Sequence, residues 1–276
     1  MLKYQLGAII ILFVIKLNSQ TFKWIESDYK ISYIFTYTTN LETGERSSDD
    51  PYFLFGVNNT SYFIRYQDYY NDSISYEFEK KYGPGQENVE LFSELVLSNV
   101  KRGSKSKLRT IKFLDVNTAE IILPKLGNHT YMETPLNFDW EIGFETDTIL
   151  NLVCHKATTN YGGRNYIAWF TPEIPISDGP YVFKGLPGLI LRVYDFENQY
   201  EFLCHGINSN KENIILSKNF LNPNNIQISR KEYVSESSKM KSNPSYPPGM
   251  RNVTPQMKLR LKKNYDKRYD LLIERN

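Results

Sequence analysis

Two dipeptides, Cys154-His155 and Cys204-His205, place both cysteines of the chain beside two of its three histidines. Thiolate sulfur and imidazole nitrogen are the donors that zinc and copper select, so this pairing raises metal coordination first. Two cysteines can instead close a bridge, provided that their Cα atoms come within about 7 Å. Nearby stand Lys156 and Arg164, the second beside Gly162-Gly163. A lysine or arginine in such a place either pairs with an acid of the same chain, with Glu173, Asp178 and Asp195 in range, or holds an anion or carboxylate, for which arginine offers a two-pronged fork.

These residues act only where the elements carrying them allow it. In a strand, alternate side chains share a face. Cys154 then lies with Leu150 and Leu152, and His155 with Asn151 and Val153. Cys204 lies with Tyr200 and Phe202, and His205 with Leu203 and Ile207. All four donors cannot meet at one ion, and either like pair leaves the coordination incomplete, so no metal and no cofactor is expected. A Cys154–Cys204 disulfide and two buried thiols remain as alternatives. No G-x-S-x-G, H-E-x-x-H or C-x-x-C motif occurs, so the hydrolase and redox templates built on them are missing.

The composition favours sheet. The 276 residues include 21 Tyr and 16 Phe, and 41% are hydrophobic, enough for a sizeable core with aromatic rather than Ala and Leu character. Tyr29, Ile31, Tyr33, Phe35 and Tyr37 alternate with polar residues and predict a strand. The stretch 40–51 reads as a turn-rich loop and 52–57 as a second strand. The stretch 61–81 reads as a helix capped by Ser61. From 108 onward a meander of short strands is expected at 108–116, 119–126, 129–135, 139–143, 147–158, 165–171, 189–196 and 199–207, with turn signals between them. The predicted fold is mainly β: a curved antiparallel sheet or half-open barrel with one or two helices.

Residues 1–19 join a lysine, a short apolar run and a polar exit, the anatomy of a secretory signal peptide. Residues 20–234 then form the β-rich domain, 235–255 a polar linker, and 256–276 a basic helix or tail. From Arg251 onward eight bases stand against three acids. A basic end of this kind suits peripheral contact with anionic head groups, and export argues against nucleic acid.

In Phe183–Leu191, the Leu186-Pro187-Gly188-Leu189 stretch fits a type II turn, with proline presetting φ at the second position and glycine accepting positive φ at the third. Apolar leucines at a turn either fold back on the core or offer apolar surface to a ligand. The segment from Cys154 to Leu191, with Asp139-Trp140-Glu141-Ile142 upstream, resembles the signature of the GLPGLI family, exported proteins of Bacteroidota named after the hexapeptide found here at Gly185–Ile190. The resemblance marks Asp139, Trp140, Cys154, Lys156, Gly163, Arg164, Trp169 and Gly185–Ile190. It implies an exported, periplasmic or outer-membrane-associated protein with a β-rich fold, and no particular reaction.

The expected role is a non-enzymatic binding or carrier module for a hydrophobic ligand, a lipid or an envelope partner. A carboxylate hydrolase and a structural adaptor of an outer-membrane assembly are the alternatives. Candidate ligand or partner contacts are Lys156, Arg164, Trp169, Phe183, Leu186, Pro187 and Leu189, and a large apolar groove lined by Phe and Tyr is expected near the Gly185–Ile190 corner.

Overall fold

The computed structural model describes residues 22–48, 51–83, 108–123, 129–133, 135–217, 226–232, 235 and 256. The signal segment 1–19 lies outside the described residues, as do the linker and the basic tail apart from Ser235 and Gln256. The chain runs through β1 (Phe22–Ser27), β2 (Tyr29–Asn40), β3 (Glu45–Ser48), β4 (Tyr52–Val57), β5 (Thr60–Arg65) and α1 (Tyr66–Tyr82). It continues through β6 (Arg109–Phe113), β7 (Thr118–Leu123), β8 (His129–Glu133), β9 (Glu141–Ile149), β10 (Leu152–Tyr161), β11 (Arg164–Thr171) and β12 (Leu189–Asp195). The last strands are β13 (Tyr200–Asn208), β14 (Glu212–Ser217) and β15 (Ile226–Ile228).

One large sheet follows the order β15-β8-β7-β6-β5-β4-β2-β13-β12-β11-β10-β9, with β3 attached to β2. Its pairs are antiparallel except β15–β8. The predicted mainly antiparallel, curved sheet is therefore present, and it does not close into a barrel. β2 is its spine: its alternation buries Ile31, Tyr33, Phe35 and Tyr37 on the inner face. Each such side chain contributes roughly 1.5–3 kcal/mol relative to full exposure. The inner aromatic core runs from Tyr52 and Phe63 through Phe35 and Phe202 to Tyr166 and Phe183. A second core lies on the opposite face of β4–β6, where Phe55, Ile64 and Ile111 meet Ile214 and Leu216 of β14. The β1–β14 ribbon and α1 cover it, with Tyr69 of α1 packed on Phe53 and Phe55.

Three boundaries differ from the sequence reading. The loop expected at 40–51 contains β3, because Asn40 accepts the backbone N–H of Glu42 and Thr43 and Gly44 takes φ +68°, which folds the chain back tightly. The helix expected from Ser61 begins only at Tyr66. Residues 60–65 pair with both β4 and β6, and both of their faces are covered, so polar alternation is missing and Ser61 is a buried strand residue rather than a cap. The strand expected at 147–158 is the hairpin β9–β10, turning at Leu150 and Asn151 with φ 52° and 62°. A two-residue turn of this kind favours Asn-Gly, so Leu150 in the first left-handed position hides it.

Candidate functional site

The corner after Pro180 folds inward. Leu186 is 1% and Leu189 0% exposed, and Phe183 packs edge-on against Tyr166 at 4.8 Å and beside Phe138 and Tyr161. The predicted type II turn is not formed. Gly188 N–H donates to Leu186 O at 2.8 Å across Pro187, while Leu189 N–H donates to Ile174 O at 3.0 Å. Gly188 is needed for space, since a Cβ there would sit 2.1 Å from the Thr171 carbonyl oxygen. The groove expected at this corner is thus occupied by the corner's own side chains, and of its candidate contacts only Pro187 reaches solvent.

What fastens this segment is a cluster that sequence reasoning missed. Lys112 of β6 points inward, pairs with Asp178 and donates to the carbonyl oxygens of Gly179 and Phe183. Both ionic side chains are fully buried. Asp178 also accepts Tyr29 Oη–H at 3.0 Å and the Gly179 N–H at 2.8 Å. Burial pushes Lys112 below the usual lysine range, and burial together with the Asp178 charge raises the Tyr29 phenol. Beside them Lys184 donates to Asn117 Oδ1 at 2.5 Å, and the Trp140 indole N–H donates to Lys184 O at 2.8 Å. Every charge here is met by protein atoms, so the arrangement is a staple between β6, β2 and the 174–188 segment. The only sequence signal for it was a lysine in a strand whose other face was unseen.

Arg164 is buried as well. Its Nη1 donates to Asp195 Oδ2 and to Gln199 Oε1, each at 2.9 Å, and its guanidinium lies over the Tyr200 ring at 4.7 Å. The same-chain ion pair is the reading that applies, with Asp195 as partner. Lys156 and Trp169, by contrast, are cross-strand neighbours in a row that runs Lys156, Trp169, Arg192, Leu203, Ile34 across five strands. Lys156 bonds Glu145 Oε1 at 3.0 Å. The seven candidates thus divide: Phe183, Leu186 and Leu189 in the core, Arg164 in a buried pair, Pro187 at the corner, and Lys156 with Trp169 together on the strands next to the sheet's end.

Cys154 and Cys204 are free and buried. β11 and β12 lie between their strands in the sheet order, and no bridge joins them in this structure. Each thiol faces a backbone carbonyl, Leu152 O for Cys154 and Gly206 O for Cys204. Burial pushes Cys154 up to about 11 and Cys204 to about 12. Both favour the folded state fully below about pH 9, and that contribution is lost as pH rises toward those values. At pH 8 neither thiol should react with iodoacetamide in the native protein, and both should react in guanidinium; mass spectrometry counts the adducts. Native labelling at either would refute this burial. Among the described residues no three His, Cys, Asp or Glu side chains gather as metal ligands.

The surface with unspent valence is the end of the sheet. Among the described residues β9 pairs only with β10, and no described strand meets the backbone N–H and C=O groups of its outer edge. Between Ile142 and Thr146 three β9 residues face a single β10 residue, Lys156. This bulge carries Phe144, whose side chain is fully exposed at 104% relative accessibility, with Ile142 at 52% beside it. Leu150 and Val153 continue the exposed apolar set on the same hairpin. Glu141, Glu145 and Asp147 alternate with them along β9, which carries no base.

The described residues thus form an open, largely antiparallel sheet with a filled aromatic interior and an acidic, partly apolar strand at one end. Residues 162–192, from the β10–β11 turn through the corner into β12, match the family model described as "Protein of unknown function (Porph_ging)". The matched stretch includes the Gly185–Ile190 hexapeptide on which the sequence resemblance rests. No curated protein matches the chain. Eight chains of solved structures match, among them two crystal forms of PNGF-II, both at 12% identity, with TM-scores of 0.48 and 0.47 over 76% and 75% of this chain. The chain spans 32% of the length of those PNGF-II chains.

Proposed function

We propose that this chain is an exported cell-envelope protein that binds a partner rather than enclosing a ligand, and that it does so by lending the β9 edge to an extended segment of that partner. The observation behind this reading is Phe144: a wholly exposed aromatic at a bulge on a strand whose outer edge meets no described strand. Free edges are usually blunted by lysine, proline or a covering element. β9 has neither lysine nor proline, and it adds two large apolar side chains to its exposed backbone groups. That combination suits strand addition, in which main-chain hydrogen bonds supply affinity and alternate side chains supply specificity. The hydrophobic-carrier version of the reading loses its groove, because the corner leucines are already packed.

The test is photo-crosslinking in the protein's own cells. The variant Phe144→p-benzoylphenylalanine is expected to give a discrete adduct with one second protein. Val116→p-benzoylphenylalanine, at the exposed β6–β7 turn, is expected to give none. Equal adducts from both positions, or none from Phe144, would refute the proposal.

A further inference from the structure

The acids of three other strands are met by bases of the same chain. Glu26 of β1 pairs with Lys211 at 3.2 Å, Glu201 of β13 with Arg192 at 2.7 Å and Arg46 at 3.3 Å, and Glu212 of β14 with Lys30 at 2.8 Å. On β9 only Glu145 is so met, by Lys156 at 3.0 Å. Glu141 and Asp147 are exposed and have no ion-pair partner among the described residues. Asp147 accepts only the backbone N–H of its neighbour Thr148, at 2.7 Å. From Asp139 to Val153 the sequence holds four acids, Asp139, Glu141, Glu145 and Asp147, and no lysine, arginine or histidine, although the whole chain carries a formal charge of +2.

Solvated carboxylates alone point to nothing, but these two are placed. They bracket Ile142 and Phe144 along the outer strand, about 20 Å apart at the rise of a β-strand. A strand added to this edge sets its residues opposite those of β9, where an opposite-charge pair or an aromatic pair contributes roughly 0.2–1 kcal/mol. The complementary segment therefore has a base toward each end of a span of about six residues, with β-branched or aromatic side chains between. A second copy of the chain is a poor occupant. A ladder of two β9 strands crowds the carboxylates of both copies together with no base on either strand, and like charges placed opposite destabilise it.

We infer that the β9 edge takes an extended basic segment of another protein, with one lysine or arginine against Glu141, a second against Asp147, and apolar side chains on Ile142 and Phe144. This rests on the reading of β9 as the binding edge and adds the chemistry of its partner. The contact weakens as salt rises, since its charge pairs are exposed.

Peptide titration against the full chain, read by fluorescence anisotropy, tests it. The probe is a labelled peptide about nine residues long, alternating threonine and valine, with lysine second from each end. One control has glutamate in place of both lysines, and another keeps the lysines and has serine in place of valine. The lysine-valine peptide is expected to bind at least tenfold more tightly than either control and to form an adduct with the Phe144→p-benzoylphenylalanine variant. Glu141→Lys/Asp147→Lys, two exposed changes checked for an unaltered circular dichroism spectrum, is expected to turn the preference to the glutamate peptide. No binding of the lysine-valine peptide, equal affinity for the glutamate peptide, or a preference unmoved by the charge swap would each overturn the inference. A cellular adduct at Phe144 whose attached segment, sequenced by tandem mass spectrometry, carries no base would overturn it too, while leaving the edge reading in place. Selective peptide binding with no adduct in cells would do the reverse, supporting this edge chemistry while the proposed role falls.

Discussion

Asp178→Ala should cost about 3–5 kcal/mol of folding stability, the range for leaving one member of a buried ion pair without its counter-charge. The Lys112 ammonium would then lie fully buried with only the Gly179 and Phe183 carbonyl oxygens for company, and the Tyr29 hydroxyl would lose its acceptor. Urea unfolding at pH 7 measures the loss as a lower midpoint at unchanged slope. Two further variants give the mechanism. Tyr29→Phe removes one hydrogen bond to the carboxylate and should cost only about 1.5–3 kcal/mol. Lys112→Met combined with Asp178→Leu removes both charges and should recover most of the loss, because an apolar pair of similar size avoids the desolvation penalty. A loss below 1 kcal/mol for Asp178→Ala, or a double variant as weak as the single, would show that the staple does not hold the 174–188 segment in place.

That cluster also shows where sequence reading reaches its limit. Alternation at Tyr29–Tyr37 gave β2 correctly because one of its faces is buried and the other partly wet, so period two is written in polarity. In β5 both faces are covered, and polarity carries no period; Ser61, Phe63 and Arg65 point one way while Tyr62 and Ile64 point the other. Lys112 sits in an alternating segment too, but its alternation has the sign opposite to the one expected. The apolar Ile111 faces the small outer core and the lysine faces the large inner one, a choice that depends on where Asp178 arrives from 66 residues away. The exposed edge was hidden for a similar reason. Nothing within Glu141–Ile149 says that it ends the order of described strands, so Phe144 reads as an ordinary strand residue until that order is known. Arg164, by contrast, was legible as half of an ion pair with Glu173, Asp178 or Asp195 in range, and the pairing of β11 with β12 is what selects Asp195.

The proline-glycine corner supplies the other large effect, Gly188→Ala. Its Cβ would lie 2.1 Å from Thr171 O and 2.6 Å from Thr171 C, backbone atoms at the end of β11 that cannot swing aside as a side chain would. The backbone at Gly188, with φ +153°, is also one that L-residues rarely adopt. Relief requires the corner to lift from β11, which breaks the Leu189 N–H bond to Ile174 O and draws Leu186 and Leu189 out of the core. The expected cost exceeds about 4 kcal/mol, a value reached only by strain or core disruption of this kind. Gly185→Ala separates the two causes. Its φ of +93° is equally unfavourable for alanine, but the nearest atom to the new Cβ would be Trp140 Nε1 at 3.8 Å, an ordinary contact. Strain alone should then cost about 1–3 kcal/mol. Thermal unfolding followed by circular dichroism ranks the pair, with each kcal/mol worth roughly 2–4 °C in a chain of this size. If Gly188→Ala melts within a few degrees of the parent, or above Gly185→Ala, close approach to Thr171 is not what demands glycine in the corner.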